Sequence, residues 1–234
     1  MTDATGASPS SEGRARSPLM LLEPLAVTEV EITPWLHHVE VYTLRGLLTL
    51  LWHGPRDTDR VVITVGGGMG SLLGPAGGIY HYLGETFAAD GIATIRVGYR
   101  KPNHLPDCVH DAAAAADLAV QGGAKGVVTV GHSFGGAVAV QAAIAFGALA
   151  RGVVTLATQS AGCEDAEQLG NTPLLLCHGD RDEILPAQTS EVVRMLAGHG
   201  ELRFYAGAGH LLEEARDELR ALLTEWIPAR LGAS

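Results

Sequence analysis

Short apolar runs alternate with longer segments of helical spacing through most of the chain. Apolar runs bounded by turn residues are typical of buried strands, and apolar residues three and four apart are typical of helices. The pattern predicts strands at 26–33, 47–53, 61–65, 92–97, 126–130, 153–157, 173–177 and 202–205. It predicts helices at 79–89, 106–121, 134–146, 186–197 and 211–231. This alternation predicts an α/β fold, a doubly wound and mainly parallel sheet of about eight strands with helices on both faces.

The N-terminal residues 1–18 differ in composition from the rest of the chain. Ser, Thr, Gly, Ala and Pro dominate this segment, with scattered charges. Such a segment cannot bury enough apolar surface to offset the entropy of ordering it, so we predict a disordered tail. No internal repeat or second linker follows, and residues 19–234 are predicted to form a single domain.

Composition and charge narrow the possible functions. The 234 residues are 47% hydrophobic and 18% charged, and the formal net charge is −10, so we expect a globular protein without electrostatic affinity for nucleic acid or an anionic membrane. The sequence has no signal peptide and no run of about 18 apolar residues, which predicts a cytoplasmic location. The three cysteines (Cys108, Cys163 and Cys177) include no CxxC pair, and His, Asp and Glu lack metal-ligand spacing. We therefore expect neither a disulfide framework nor a metal site.

A candidate nucleophile follows the predicted strand 126–130. Residues 131–135, GHSFG, form a G-x-S-x-G motif, and an Ala-rich helix follows at once. In this strand–turn–helix context the sharp turn strains the serine backbone and lifts the hydroxyl above the sheet, and the glycines avoid clashes with neighbouring backbone. The alternative is an ordinary N-capping serine on a glycine-rich turn. The context favours Ser133 as a nucleophile.

A serine nucleophile needs a base, and the base needs an acid that orients it. After the predicted strand 173–177, Asp180, Asp182 and Glu183 lie in one loop, so chemistry alone leaves the acid ambiguous. His210 lies in a glycine-flanked loop between the last predicted strand and the last helix. The chain order Ser, Asp, His is the one expected for this architecture, so we predict His210 as the base.

Two other histidines lie close to these motifs in the sequence. His178 ends a predicted strand and is expected to be a packed structural residue. His132 precedes Ser133 and is expected to point away from it, because neighbouring residues on a tight turn point in different directions. Neither histidine is therefore predicted to belong to the site.

The oxyanion that forms in acyl transfer needs backbone donors. One is expected from the N–H of Phe134 and the other from the glycine-rich loop after strand 61–65, where Gly67 is favoured and Gly68 is next. A nucleotide-binding loop is the rival interpretation, but the loop has no lysine, and Ser71 occupies the last position of a G-x-G-x-x-G match. Residues expected to line the cleft are Pro75, Tyr80, Tyr99 and Leu185.

The three motifs together resemble the α/β-hydrolase superfamily. GHSFGG, HGDRDEILP and GAGH occur in this order, each after a predicted strand, and the resemblance runs from about residue 46 onward. In this superfamily the H-G-x-x-D-x-x-x-P loop uses its second aspartate, so the resemblance assigns the acid to Asp182 and leaves Asp180 as the spare. Many relatives carry His-Gly where this chain has Val65 and Gly66, which is a departure in the oxyanion loop.

The segment 159–172 leaves room for about one short helix and no lid. A compact, lidless member resembles dienelactone-hydrolase-like or small carboxylesterase-type proteins. Dienelactone hydrolases proper use a cysteine nucleophile, so Ser133 indicates an esterase or thioesterase. The resemblance implies hydrolysis of a small-molecule acyl substrate through an acyl-enzyme, with no cofactor, no metal, no nucleic-acid partner and no membrane partner. The alternatives on this fold are non-hydrolytic enzymes, of the carbon–carbon lyase or cofactor-free oxidase type, and ligand-binding proteins.

Overall fold

A nine-stranded sheet forms the centre of the computed structural model, which describes residues 16–232. The strands are β1 (Pro24–Thr33), β2 (Leu36–Thr43), β3 (Gly46–His53), β4 (Arg60–Val65), β5 (Ala93–Gly98), β6 (Gly126–His132), β7 (Ala150–Leu156), β8 (Leu174–Gly179) and β9 (Glu201–Tyr205). The helices are α1 (Pro18–Leu21), α2 (Pro75–Ala88), α3 (Leu105–Gln121), α4 (Phe134–Phe146), α5 (Gln188–Ala197) and α6 (Arg216–Leu231). The strands lie side by side in the order β1-β2-β3-β5-β4-β6-β7-β8-β9.

The sheet has an antiparallel part and a parallel part. β1, β2 and β3 pair antiparallel, and β3 pairs antiparallel with β5, whereas all the pairs from β5 through β4 to β9 are parallel. Helices α2 and α6 cover one face, and α1, α3, α4 and α5 cover the other. The free thiols of Cys108, Cys163 and Cys177 are buried in these two layers. The predicted α/β fold is confirmed, with nine strands instead of about eight.

Strand β2 is the one strand of the sheet that the apolar pattern does not predict. Its buried side chains are Val39 and Val41, and the two histidines His37 and His38 interrupt the apolar pattern just before them. β2 lies between β1 and β3, where an antiparallel strand can keep one face towards solvent. Such a half-polar strand carries a weaker apolar signal than the buried parallel strands do.

Two helix starts show how local backbone decides the boundary. The last helix was predicted from residue 211, but a single 3₁₀ turn at Glu213–Ala215 comes first and the α-helix begins at Arg216. In α2 the residues 76–78 have positive φ and break the first turn. Regular helix therefore begins at Ile79, which is where the sequence pattern predicts it.

The predicted disordered tail falls mostly outside the described residues, which begin at Arg16. Its last residue, Pro18, already begins α1. This short helix is held against α3, because the Leu19 N–H donates to Asp117 at 3.2 Å and the Pro18 carbonyl lies 2.8 Å from a ring nitrogen of His110. Along the described chain, no helix combines the length and apolar character that crossing a bilayer requires.

Candidate active site

The turn between β6 and α4 holds Ser133 in a strained backbone conformation. Its φ of 58° and ψ of −121° are rare for any residue other than glycine. A Cβ on Gly135 would overlap the carbonyl oxygens of Val65 and Gly66, and a Cβ on Gly131 would overlap the carbonyl of Gly135. The Ser133 N–H donates to the Leu156 carbonyl on β7 at 2.9 Å. The surrounding backbone therefore enforces this turn, as expected for a G-x-S-x-G motif between strand and helix.

Asp182 and His210 meet at the carboxyl ends of β8 and β9. The Nδ1 of His210 lies 2.7 Å from Oδ2 of Asp182. The other carboxylate oxygen of Asp182 accepts the backbone N–H groups of Ile184 and Leu185, both at 2.8 Å. Burial alone would raise the pKa of Asp182, but the hydrogen bonds from Leu185, His210 and Ile184 outweigh it, and the pKa lies below its ordinary value. Asp182 is thus held as a carboxylate facing the ring of His210.

The other acidic residues of the loop have different environments. Oδ1 of Asp180 accepts the N–H of Gly207 at 2.6 Å, which joins this loop to the loop that carries His210. Glu183 is exposed. Of the three acidic residues, only Asp182 contacts His210. The structure therefore places Asp182 beside the predicted base and Asp180 in a supporting turn.

His178 contacts the same carboxylate oxygen as His210 does. Its Nε2 lies 3.0 Å from Oδ2 of Asp182 and 3.1 Å from the Leu185 carbonyl, and its Nδ1 lies 2.7 Å from the Ser190 hydroxyl. The side chain is fully buried. It is a packed histidine as predicted, but it also holds Asp182 in place. The only sequence signal for this contact is the short spacing of the two residues.

His132 is turned towards the site, contrary to the sequence-based prediction. Its Nε2 lies 3.0 Å from the backbone carbonyl of His210, and the two rings lie 4.8 Å apart. Because a carbonyl only accepts, the Nε2 of His132 must carry the proton. Burial lowers the pKa of His132 to about 4, so the ring is neutral at pH 7. His132 therefore fixes the position of the loop that carries His210.

One cavity of about 300 Å³ is lined by four of the predicted site residues, Ser133, His210, Gly67 and Gly68. Its lining comprises Gly66, Gly67, Gly68, Met69, Gly70, Ser71, Gly74, Pro75, His132, Ser133, His210 and Leu211. No hydrogen bond between the side chains of Ser133 and His210 occurs within residues 16–232 in this conformation. Such contacts are commonly long in a ligand-free site and tighten when substrate binds.

The glycine-rich loop after β4 approaches Ser133 from the other side. A Cβ on Gly67 would lie 3.6 Å from Cβ of Ser133, whereas one on Gly68 would lie closest to Asn103, at 3.3 Å. The Cβ position of Gly67 is therefore closer to Ser133 than that of Gly68, and which of the two N–H groups serves the oxyanion stays a prediction. The N–H of Phe134, the first residue of α4, follows Ser133 directly.

Two of the four residues expected to line the cleft instead support this loop from below. The buried hydroxyls of Tyr80 and Tyr99 donate to the carbonyls of Val65 and Gly66, at 2.8 and 2.9 Å. These bonds fix the backbone at the end of β4, where the loop begins. Only Pro75 of the four lines the cavity, so the prediction is wrong for both tyrosines and for Leu185.

Comparison with known proteins decides the family. The profile of the dienelactone hydrolase family matches residues 90–222, more than half of the chain. The chain belongs to this family. As a family member it is a hydrolase. Between β7 and β8, a segment that the structure describes in full, the only regular element is a single 3₁₀ helix at Ala166–Leu169. No curated protein sequence matches the chain.

Solved structures agree with the family at the level of the fold. A dienelactone hydrolase from Anabaena variabilis is similar with a TM-score of 0.71 at 19% identity, over 88% of this chain and 99% of that one. Est1E from Butyrivibrio proteoclasticus has a TM-score of 0.70 at 16% identity, over 83% and 99%. A monoacylglycerol lipase from Paleococcus ferrophilus has a TM-score of 0.62 at 15% identity, over 78% and 99%. At these identities the likeness shows the α/β-hydrolase fold.

Proposed function

We propose that this hydrolase cleaves a carboxylic ester or thioester of a small molecule with Ser133 as nucleophile. The observation that carries the proposal is the convergence of a strained Ser133 and a hydrogen-bonded Asp182–His210 pair on one cavity. A serine at this position departs from the cysteine nucleophile of dienelactone hydrolases proper. Because a serine hydroxyl is a weak nucleophile, it depends on the neighbouring base.

The proposed reaction has two halves. The Ser133 hydroxyl attacks the acyl carbonyl carbon while Nε2 of His210 accepts its proton, and Asp182 holds the Nδ1–H tautomer. The N–H groups of Phe134 and Gly67 are the proposed donors to the oxyanion of the tetrahedral intermediate. The intermediate collapses as His210 returns the proton to the leaving alcohol or thiol. A water molecule then attacks the acyl-enzyme with His210 as base and releases the acid.

The cavity favours a short, uncharged acyl group. Its volume of about 300 Å³ is at the small end for ligand sites. None of its lining residues is Lys, Arg, Asp or Glu, so a charged acyl group would be buried there without a partner. Met69 and Leu211 are strongly exposed at the rim and offer apolar contact to a leaving group. We infer a neutral substrate with a small acyl part and room for a larger leaving group outside.

The test is covalent labelling with a fluorophosphonate, read by intact mass. Wild type is expected to gain one adduct, and Ser133→Ala none. The control is Ser160→Ala, which changes a serine outside the cavity and is expected to label like wild type. If folded wild type stays unlabelled and shows no product burst on an activated ester, the proposal fails and a ligand-binding role on the same fold takes its place.

Substrate preference follows from a second series of measurements on the unlabelled wild-type protein. Esters and thioesters with acyl chains of increasing length are compared by kcat/KM, and feruloyl esters are included because Est1E has been crystallised with ferulic acid. We expect kcat/KM to fall as the acyl group outgrows the cavity and to fall for acyl groups with a carboxylate. A preference for charged acyl groups would contradict the neutral-substrate inference.

A further inference from the structure

Three potential metal ligands meet on the face of the sheet that α2 covers. His53 is the last residue of β3, and His81 and Glu85 lie one turn apart on α2. One nitrogen of each imidazole and one oxygen of the carboxylate lie within 4.8 Å of one another. Residues four apart on a helix face the same way, so the two helical side chains can both reach His53.

The imidazole of His53 is buried with unsatisfied nitrogens. Its side chain is 0% exposed, and neither ring nitrogen has a hydrogen-bond partner among the described residues. Oε1 of Glu85 lies 3.1 Å from Nδ1, close enough for an ion pair but out of line for a hydrogen bond. A buried polar group without a partner is costly, and such groups are uncommon in native proteins. The arrangement of His53 therefore indicates a missing partner at this position.

The helix makes room for the ring of His53. Gly84 lies in α2 between His81 and Glu85, and a Cβ at this position would be 2.6 Å from Cγ of His53. Glycine inside a helix costs about 1 kcal/mol relative to alanine. Here it allows the imidazole to lie against the helix backbone. The ring of His81 lies 5.6 Å from that of His53, nearly edge to face.

We propose that His53, His81 and Glu85 bind a divalent transition-metal ion of the zinc type. Two imidazoles and one carboxylate form a ligand set that zinc accepts, with solvent as the fourth ligand. Tetrahedral zinc holds its ligand atoms about 3.3 Å apart at bond lengths of about 2.0–2.1 Å. His81 and Glu85 are exposed and can close this remaining distance by changing rotamer.

A neighbouring charge limits the strength of the site. The positive charge of the buried Arg96 guanidinium disfavours additional positive charge at His53. The carboxylate of Glu85 stabilises the charged guanidinium, because its negative charge acts to raise the pKa of Arg96. Arg96 is held by the Leu72 carbonyl at 3.1 Å. In the proposed site Glu85 therefore has two roles, as a ligand of the ion and as the negative charge that offsets Arg96.

The proposed ion is remote from the proposed reaction. His53 pairs with Thr94 near the amino end of β5, whereas Ser133 follows the carboxyl end of β6. Because β5, β4 and β6 are parallel, the two residues lie at opposite ends of these strands. The ion would thus link α2 to the end of β3 and stabilise the fold without contacting the substrate. Metal-ligand spacing is not recognisable in the sequence, because His53 lies 28 residues before His81 and only the i, i+4 spacing of His81 and Glu85 is local.

Zinc binding by the full, tag-free chain tests the proposal. After treatment with EDTA, titration calorimetry with zinc chloride is expected to show one ion per chain, and zinc is expected to raise Tm. His81→Gln and Glu85→Gln change exposed side chains and should each weaken binding by at least about tenfold. The control is His104→Gln, because Nδ1 of His104 forms a pair with Asp107 at 2.9 Å without a third ligand.

Two results would overturn the proposal. One is the absence of saturable zinc binding in folded wild-type protein. The other is unchanged binding in the double variant His81→Gln/Glu85→Gln, which would assign the ion to another histidine, such as His210 in the cleft. In either case the Tm shift with zinc would be absent or equal in both proteins, so a folding defect cannot account for the result.

Discussion

The buried histidines at the carboxyl ends of the parallel strands have hydrogen-bond partners, whereas His53, at the opposite end of these strands, has none among the described residues. At the carboxyl ends of the parallel strands, His178 has partners for both ring nitrogens, and His132 and His210 each have one. Near the amino end of β5, both ring nitrogens of His53 lack a hydrogen bond within the described chain. The two regions belong to the same sheet and their histidines are similarly buried, so the difference between them is whether the ring nitrogens have protein partners.

This difference distinguishes a site whose side chains are already held in position from a site that lacks a partner. A hydrogen-bonded network holds its members in one geometry, which is what a catalytic acid and base require. A buried group without partners is stabilised only when something else arrives. Asp182 with its histidines is therefore interpreted as a site ready for reaction, and His53 as one that awaits an ion.

The largest expected effect comes from removing the charge of Asp182. Asp182→Asn retains the shape but alters the tautomer and charge support of His210, so we expect kcat to fall about 10³–10⁴-fold on an activated ester. The matched control is Asp180→Asn in the same loop, because the carboxylate of Asp180 accepts the Gly207 N–H and is not paired with His210; it should lose less than tenfold. Steady-state kinetics of the two variants, with circular dichroism for folding, decide the matter. A larger loss in Asp180→Asn would reverse the assignment of the acid.

How far the sequence predicts this site depends on whether the contact is local. Ser133, Asp182 and His210 could be found because each follows a strand, and parallel strands bring their carboxyl ends together. The choice of Asp182 over Asp180 came from the family resemblance, and the structure adds the 2.7 Å contact with His210. The strand β2 was missed because its alternation is interrupted by histidines.

The contacts of the supporting histidines could not be predicted. His132 reaches the carbonyl of His210, which lies 78 residues further along the chain, and a single sequence does not encode such a contact as a pattern. His53 meets α2 only because β3 pairs with β5 in a particular register. Such pairings depend on the strand order, which places β5 between β3 and β4.

An effect of intermediate size is expected from acid. His132 has a pKa of about 4 in the folded state and about 6.5 when unfolded, so below pH 6.5 the unfolded chain binds a proton that the folded chain does not. Stability is therefore lost as pH falls from 6.5 towards 4, by about 2–3 kcal/mol at pH 4.5 from this residue. Urea unfolding at pH 7 and pH 4.5 measures it.

The variant His132→Gln isolates that contribution. Glutamine can still donate to the His210 carbonyl but has no proton to take up, so its loss of stability between the two pH values should be smaller than that of wild type. Because the comparison is between pH values within each protein, any constant cost of the substitution cancels. An equal loss in both proteins would show that other groups account for the acid sensitivity.

The smallest effect sharpens the comparison at the other edge. Alanine normally stabilises a helix relative to glycine by about 1 kcal/mol, but Gly84→Ala puts a methyl group against the buried ring of His53. We expect net destabilisation of about 1–3 kcal/mol by urea unfolding, with kcat on an activated ester unchanged because Ser133 lies at the far edge. The control Thr86→Ala changes helix propensity on a half-buried position of α2 without reaching that ring. If Gly84→Ala were as stabilising as an ordinary helix substitution, the ring of His53 would have freedom to move, and its missing partners would need no ion to explain them.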